Sequence, residues 1–545
     1  MKRIGKVLGL SLGILAVACS EQNPAVDPTV NNPTTDTTQV VDTTQVVDTT
    51  QVVDTTQVVD TTIVVTPTET DNMVTVVFTD TAAFVSASDN TLALLTIKRS
   101  GAHVSIEQSA DVADEITYIL SGSSSDGGFY MSGSYKATVE LNGLTLRNVS
   151  ATYSGAAVHV QNGKRIDVKV ITGTTNTLVD ASTGSQKGCL YIKGHAEFKQ
   201  YGTLNVTGNV KHGIKTGEYF TIKNATINVL SAVGDGINCS QYFLMESGTI
   251  NISGAGDDGI QCDIDDTTTG STGQTTDHEN EDSGNVYVNG GTINIVCEYK
   301  GIKAEGDLYI TDGVVNVTSN ASASSNGNHW GGSSSSSAPE AIEAKGKMVI
   351  SGGQIYAKSA DDAINAGGDL TISGGCVMAH STSNDGVDAN GNCYIKGGLV
   401  YAIGASSPEV AIDANTEGGK KLYIQGGTIV AVGNLESGAS ISGGTCKQTS
   451  SWSGNTWYAL YNGNDLMFVF KTPTKSSSGG GGGPGGGGGS QKLVVYTSST
   501  PTLKSGVTVG GTEIFDGLGY YPATASGGSN VSLSSYSSSG GGPGW

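Results

Sequence analysis

Basic residues are scarce in this chain. Lys and Arg number 29 against 50 Asp and Glu, a formal charge of −21. A nucleic-acid partner is therefore not expected, because phosphate binding needs a cationic footprint. Charged residues of both signs make up only 14% of the sequence, against about 25% in an average globular chain. The seven His are scattered, with no pair at metal or triad spacing. There is no CxxC, so zinc is not indicated. With Cys19 set aside, the other seven of the eight Cys form an odd, widely spread set, a poor disulfide framework; buried free thiols are expected. GxSxG and GxxxxGK[ST] are absent. Gly254-Ala-Gly-Asp257-Asp258-Gly259 matches GxGxxG, but its two carboxylates would repel a pyrophosphate and no helix pattern follows. No segment keeps a 3.6-residue period, so long helices are excluded.

Glycine is abundant, at 79 of 545 residues, twice the usual ~7%. Lys2, Arg3 and Lys6 precede the apolar run Val7–Ala18, which is too short to span a membrane. Ala16-Val17-Ala18-Cys19 then reads as a lipoprotein cleavage box with Cys19 as the lipidated residue, a plain signal peptide being the alternative. An exported protein, lipid-anchored to a bacterial outer membrane or cell surface, is expected. DTTQVV follows in perfect copies at Asp36–Val41, Asp42–Val47, Asp48–Val53 and Asp54–Val59, with the variant DTTIVV at Asp60–Val65. Such a six-residue unit suits an extended stalk.

From about residue 137 a longer repeat governs the chain. His212-Gly-Ile-Lys, Asp235-Gly-Ile-Asn, Asp258-Gly-Ile-Gln, Lys300-Gly-Ile-Lys, Glu340-Ala-Ile-Glu, Asp362-Ala-Ile-Asn, Asp385-Gly-Val-Asp and Val410-Ala-Ile-Asp align on Ile214, Ile237, Ile260, Ile302, Ile342, Ile364, Val387 and Ile412. The spacings are 23, 23, 42, 40, 22, 23 and 25, the two long gaps holding insertions at Asp263–Gly284 and Ser319–Pro339. A second line recurs in each unit: FTIKNATINV at Phe220, VYVNGGTINI at Val286, LYITDGVVNV at Leu308, LTISGGCVMA at Leu370, CYIKGGLVYA at Cys393 and LYIQGGTIVA at Leu422. Each is strand, Gly turn, strand, with period-2 alternation.

A unit of three short strands cannot close a core alone, but stacked units bury one another. The spacing predicts an all-β, right-handed single-stranded parallel β-helix of about ten coils of ~23 residues, with irregular β caps and disordered tails. Phe220, Phe243, Leu308, Leu370 and Leu422 should point inward, as should Cys239 and Cys262 at one position of adjacent coils. The expected organisation is 1–19 signal peptide and lipobox, 20–71 disordered stalk, 72–136 N-terminal β cap, 137–445 β-helix, 446–525 C-terminal β segment and 526–545 disordered tail. In the C-terminal segment, Asp465–Phe470 and Leu493–Tyr496 are expected to pair.

Function must sit on the outer face. Asn205, Asn228, Asn251, Asn294 and Asn316 should stack as amides, with Thr203, Thr226, Thr249 and Thr292 beside them. Tyr287, Tyr309, Tyr394 and Tyr423 line up where they could stack on sugar rings or simply on one another. An acidic line runs through Asp235, Asp257, Asp258, Glu340, Asp361, Asp362, Asp385 and Glu409, with Asn238, Gln261, Glu343, Asn365, Asp388 and Asp413 on the outer face of the strand. Carboxylates about 5 Å apart repel by roughly 3 kcal/mol at an effective dielectric near 20, and by about 1 kcal/mol in water. They must be solvated or neutralised by cations, and an oxygen-only donor set suits Ca²⁺. Asp361, Asp362 and Asn365 lie one coil from Asp385 and Asp388, so the sets can converge, and Asp413 extends them. Lys211, Lys215, Lys300 and Lys303 interrupt the line. They either balance its charge or pair with an acidic ligand.

The segments GKMVISGGQIYAKSADDAINAGGD and DLTISGG…SNDGVDANGN resemble a bacterial secreted carbohydrate-binding β-helix family that binds polygalacturonate with calcium. The likeness covers Gly188–Gly433 and implies a right-handed β-helix, bound Ca²⁺ and an acidic, pectin-like polysaccharide partner. It also implies a looser similarity to family 9 pectate lyases, in which an Asp cluster holds calcium and a Lys is the base. On that analogy Asp361, Asp362, Asp385 and Asp388 are ligands, and Lys303 or Lys300 would be the base if one exists. Three functions compete: a surface module for acidic plant polysaccharide, a calcium-dependent polyuronate lyase, and a structural or adhesive spacer with another ligand. Binding without catalysis, by a monomer, is the favoured expectation.

Overall fold

A computed structural model describes residues 70–264, 283–322, 338–406, 409–475 and 491–537. Cys19, the stalk repeat, most of both insertions, the Gly479–Gly489 tract and the last residues lie outside them. The protein is all-β. Among the described residues the helical segments are Asp89–Leu92 and a 3-10 turn at Thr152–Gly155, and no helix is long and apolar enough to cross a membrane.

Two large sheets carry the fold, one of 28 strands and one of 12. Three strands recur per unit: Ile237–Ser240, Tyr242–Met245 and Thr249–Ala255 are followed by Ile260–Asp263, Asn285–Val288 and Thr292–Cys297. Each pairs in parallel with its counterpart one unit on. Ile214, Ile237, Ile260, Ile302, Ile342, Ile364 and Val387 are successive Cα partners, and Ile412 joins by an isolated bridge. The insertions therefore leave the register intact. All eight are fully buried.

Like packs on like throughout. Phe198, Phe220 and Phe243 stack at 4.8 and 5.2 Å between ring centres. Cys239 and Cys262 are register partners, both buried and free. Leu308, Leu370 and Leu422 are buried as expected. On the outer surface the Asn amides bond in a chain, each Nδ2 donating to the preceding Oδ1 at 2.8, 2.8, 2.8 and 2.9 Å from Asn228 to Asn316. The glycine that closes each turn sits at positive φ, for example Gly353 at 79°, Gly375 at 78° and Gly398 at 80°, where an L side chain is disfavoured.

Three expectations need correction. Stacking starts before residue 137: Met73–Phe78 is parallel to Ile116–Ser124, and Ala102–Gln108 to Gly127–Ser132. Only Ala83–Ala87 and Leu95–Ser100 run antiparallel there, covering the open edges. At the other end, Asp465–Lys471 does not pair with Leu493–Thr497. It forms a closed four-stranded barrel with Trp457–Asn462, Pro501–Ile514 and Gly519–Asn530. Leu493–Thr497 is buried at every position and lies antiparallel to Thr428–Val432 and Thr445–Thr449, because a strand apolar on both faces needs cover on both. The Ser/Gly-rich end is also strand as far as Asn530.

Truncating one member of the inward Ile line leaves a void between two coils. Ile260→Ala should cost about 2–5 kcal/mol, measured as a shift in the urea midpoint. A loss below half a kcal/mol would mean that the coils pack loosely.

Candidate functional site

The 12-stranded sheet presents two outward lines. One is the residue that follows each buried apolar residue of the inward line (Phe129, Val158, Leu190 and the Ile/Val line). In register this line reads Tyr130, His159, Tyr191, Lys215, Asn238, Gln261, Lys303, Glu343, Asn365 and Asp388. It is aromatic at one end, mixed in the middle and acidic at the other. The His159 ring centre lies 4.8 Å from both Tyr130 and Tyr191. The aromatic end was not read from the sequence, because its strands lack the acid-Gly-Ile signature. The 24-residue step from Leu190 to Ile214 is the signal that could have extended the line to Tyr191.

The second line lies three residues before the first, just ahead of each strand. Its carboxylates are not solvated. Asp235 is 1% exposed, Asp258 5%, and Asp362 and Asp385 7% each. One oxygen of each accepts the backbone N–H of its counterpart one coil on: Asp258 N to Asp235 Oδ1 at 3.2 Å, Lys300 N to Asp258 Oδ1 at 2.9 Å, Asp385 N to Asp362 Oδ1 at 3.0 Å and Val410 N to Asp385 Oδ1 at 2.5 Å. The aspartate thus joins one coil to the next, a role that the sequence reading missed. Burial pushes the Asp258 and Asp385 carboxyls up to about 7 and Asp235 to about 6. Asp362 is raised well above the usual range, first by burial and then by Asp388.

Lys300 occupies the same line and divides it. It is 3% exposed, and its ammonium meets Glu340 and, at 2.8 Å, Glu343. A side chain of this protein thus supplies a cation to the two carboxylates of the next coil. The expected roles of Lys300 as a ligand-contacting residue or base are corrected by this burial. Its pKa is raised by Glu340 and Glu343 against the opposing effect of burial, and a general base must be neutral. Lys303 is partly buried, pairs with Glu305 at 2.7 Å and is raised likewise. Lys215 donates to Asn238 Oδ1, and Lys211 is exposed.

On either side of Lys300 the carboxylates gather with no Lys among them. Asp235, Asp257 and Asp258 form one group; Asp385, Asp388 and Asp413 form another. In each, one oxygen per residue lies within 4.8 Å of the others. Asn365 joins Asp362 and Asp388, donating at 3.0 and 2.9 Å, while Asp361 accepts from Asn384 at 2.6 Å. Of the expected ligands, Asp361, Asp362 and Asn365 thus flank the second group rather than enter it. Asp413 is pushed up to about 10 by burial and by Glu436 beside it. These all-oxygen sets fit a hard cation with ligand distances of about 2.3–2.6 Å.

The Tyr line breaks into two pairs on the larger sheet. Tyr287 stacks on Tyr309 at 5.3 Å and Tyr394 on Tyr423 at 5.0 Å, with Val349 and Thr371 between the pairs in register. Lys347 lies over Tyr309 and Lys396 over Tyr394.

Two measurements follow. The buried aspartates titrate higher folded than unfolded, so between about pH 4 and 7 the native state binds more protons than the unfolded chain. Stability of chelator-treated protein should fall as pH rises from 5 to 8; a melting temperature that rises over this range would refute the assignment. Lys300→Met should lose about 3–5 kcal/mol at pH 8, because it removes the ammonium from the buried Glu340 and leaves Glu343 with Lys345 alone, and clearly less at pH 5, where Glu340, itself raised to about 7, takes up a proton. Unchanged urea unfolding at pH 8 would contradict the ion-pair role.

Residues 100–386, just over half of the chain, match the model of a family described as carbohydrate-binding domain-containing protein. Among solved structures the chain is similar to a polysaccharide lyase-like protein from C. thermocellum, at 19% identity over 56% of this chain and 99% of that one, with a TM-score of 0.37. No curated protein matches.

Proposed function

The chain belongs to the family of carbohydrate-binding domain-containing proteins, and on that premise we propose that it is a binding module for acidic, pectin-like polysaccharide, with Ca²⁺ held on the carboxylate line. The stacked coils are wound as a right-handed parallel β-helix. The chain is exported and tethered through a lipid on Cys19, with the Thr/Val/Asp repeat as its stalk.

One observation carries this reading: where Lys300 stands in the line, its ammonium neutralises Glu340 and Glu343, and where no Lys stands, three carboxylates crowd within 4.8 Å. The same electrostatic need is met from within at one coil and left open at the others. Asp385, Asp388 and Asp413 are the residues to hold one ion and Asp235, Asp257 and Asp258 another. Bound calcium would supply a bridge to uronate carboxylates. The aromatic end, Tyr130, His159 and Tyr191, adds a cluster of tilted rings to the same line. Binding is favoured over lyase chemistry because Lys300 and Lys303, the two lysines that the resemblance would make the base, are tied to Glu340, Glu343 and Glu305.

The test is retention on immobilised polygalacturonate with calcium and with chelator, beside thermal melts. Calcium at a hundredfold excess over Kd should stabilise the parent by about 2.7 kcal/mol. Asp388→Asn with Asp413→Asn should remove much of that gain and weaken retention, whereas Asp465→Asn should change neither. Calcium-independent retention by the parent would overturn the metal part of the proposal. Absence of retention under all conditions would overturn the glycan.

A further inference from the structure

The turn position three residues ahead of each inward residue changes sign along the stack. Lys187 precedes Leu190, Lys211 precedes Ile214, Gly234 precedes Ile237 and Asp257 precedes Ile260, and these four inward residues are successive register partners. Backbone bonds tie the positions together: the Gly234 N–H donates to the Lys211 carbonyl at 2.7 Å and the Asp257 N–H to that of Gly234 at 3.3 Å. Two lysines therefore stand one above the other, a glycine follows, and the exposed Asp257 opens the first carboxylate group. Lys215 joins the two lysines from the outer line. A Cβ on Gly188 would lie 3.1 Å from the Lys215 Cβ, so the Lys215 stem rises beside the residue that follows Lys187.

These three ammoniums lack anions. Lys187 and Lys211 are exposed, and Lys187 lies 5.7 Å from the centre of the Tyr191 ring. Lys215 uses one of its three N–H donors on Asn238 Oδ1, at 2.5 Å. Among the described residues none of the three forms an ion pair with a carboxylate. The acids that act on Lys215 are engaged by amides: Asp235 accepts from Asn238 at 2.6 Å and Asp263 from Gln261 at 2.5 Å. Like cations on neighbouring coils repel unless an anion comes between them. The shortage is the reverse of the one in the acidic line, since here it is acceptors that are missing.

We propose that Lys187, Lys211 and Lys215 take the carboxylate of one uronic acid unit directly, without metal, and that the glycan runs along the stack from this cationic end toward the ion held at Asp235, Asp257 and Asp258. Two coil steps, about 10 Å, separate Lys211 from Asp257, so neighbouring sugars of one chain can meet the two in turn. Gly234, between them, presents no side chain to the path. An ammonium is a compact point charge with rotatable donors, so three of them can close on one carboxylate from different sides. The inference rests on the functional reading above for the kind of glycan; the residues and the metal-free contact are its own.

The experiment is titration calorimetry of the full chain with trigalacturonate and with the uncharged galactose trimer, in chelator and in calcium. In chelator the parent should bind trigalacturonate and not the neutral trimer. Lys187→Met with Lys211→Met should weaken that binding at least tenfold; both side chains are exposed, and an unchanged urea midpoint checks the fold. Lys136→Met with Lys169→Met removes the same charge from lysines already paired with Glu115 and Glu140, and should change the affinity less than twofold. Binding in chelator that survives the first pair of changes, or that falls equally with the second, overturns the site. Binding by the parent in calcium alone also overturns it and leaves the calcium reading standing. Binding in chelator that calcium does not raise supports the site and overturns the calcium reading, and no binding in either condition overturns both.

Discussion

In a parallel stack the nearest neighbour of a side chain is its counterpart one coil away. That single constraint arranges the rest of the molecule. For apolar residues it is wholly favourable: each Ile in the line from Ile214 to Ile412 meets an Ile, Leu or Val above and below, and each buried side chain is worth about 1.5–3 kcal/mol. For amides it is favourable too, since a carboxamide both donates and accepts. The chain from Asn205 to Asn316 joins five coils this way. For charge it is adverse, because like must stand over like.

The acidic line shows how the adverse case is met. Each aspartate ahead of its strand aims one oxygen at the N–H of the next coil, a hydrogen bond to a charged acceptor worth about 1.5–3 kcal/mol. Its second oxygen needs another partner. Asn238 gives one to Asp235 at 2.6 Å, and Asn365 gives one to Asp362. Lys300 serves Glu340 and Glu343. At Asp385, Asp388 and Asp413, Asn365 gives one hydrogen bond, to Asp388, and a proton or a cation is left to complete the set. The pKa shifts and the proposed metal sites are thus two views of the same shortage of donors.

The sequence carried a good part of this. Spacing alone placed the Ile line, the Asn ladder and the pairing of Cys239 with Cys262, since each depends only on register. What it could not carry was depth. Asp235 and Asp385 read as outer-face residues, either solvated or holding a cation, because alternation gives the face and not how far the adjacent turn folds over it. Nor could it show that the four-carbon stem of Lys300 ends between two glutamates of the next coil. The barrel was missed because its strands are separated by Gly-rich sequence and obey hairpin rather than coil logic.

That a strongly acidic protein should bind an acidic polymer, as proposed above, is at first sight a contradiction. Exposed charges are screened beyond about 8 Å at physiological salt, so what matters is the charge within one or two coils of the ligand rather than the total. On that scale the surface is divided. Lys215 and Lys303 stand in the middle of the outer line, and the carboxylate groups with no Lys among them lie on either side of Lys300. On the proposed reading a polyanion is met at those groups only after a cation has settled there. The local sign of charge is set coil by coil, by a single side chain at a fixed position. The stacked repeat can therefore place opposite electrostatic requirements a few ångströms apart without disturbing the core that supports both.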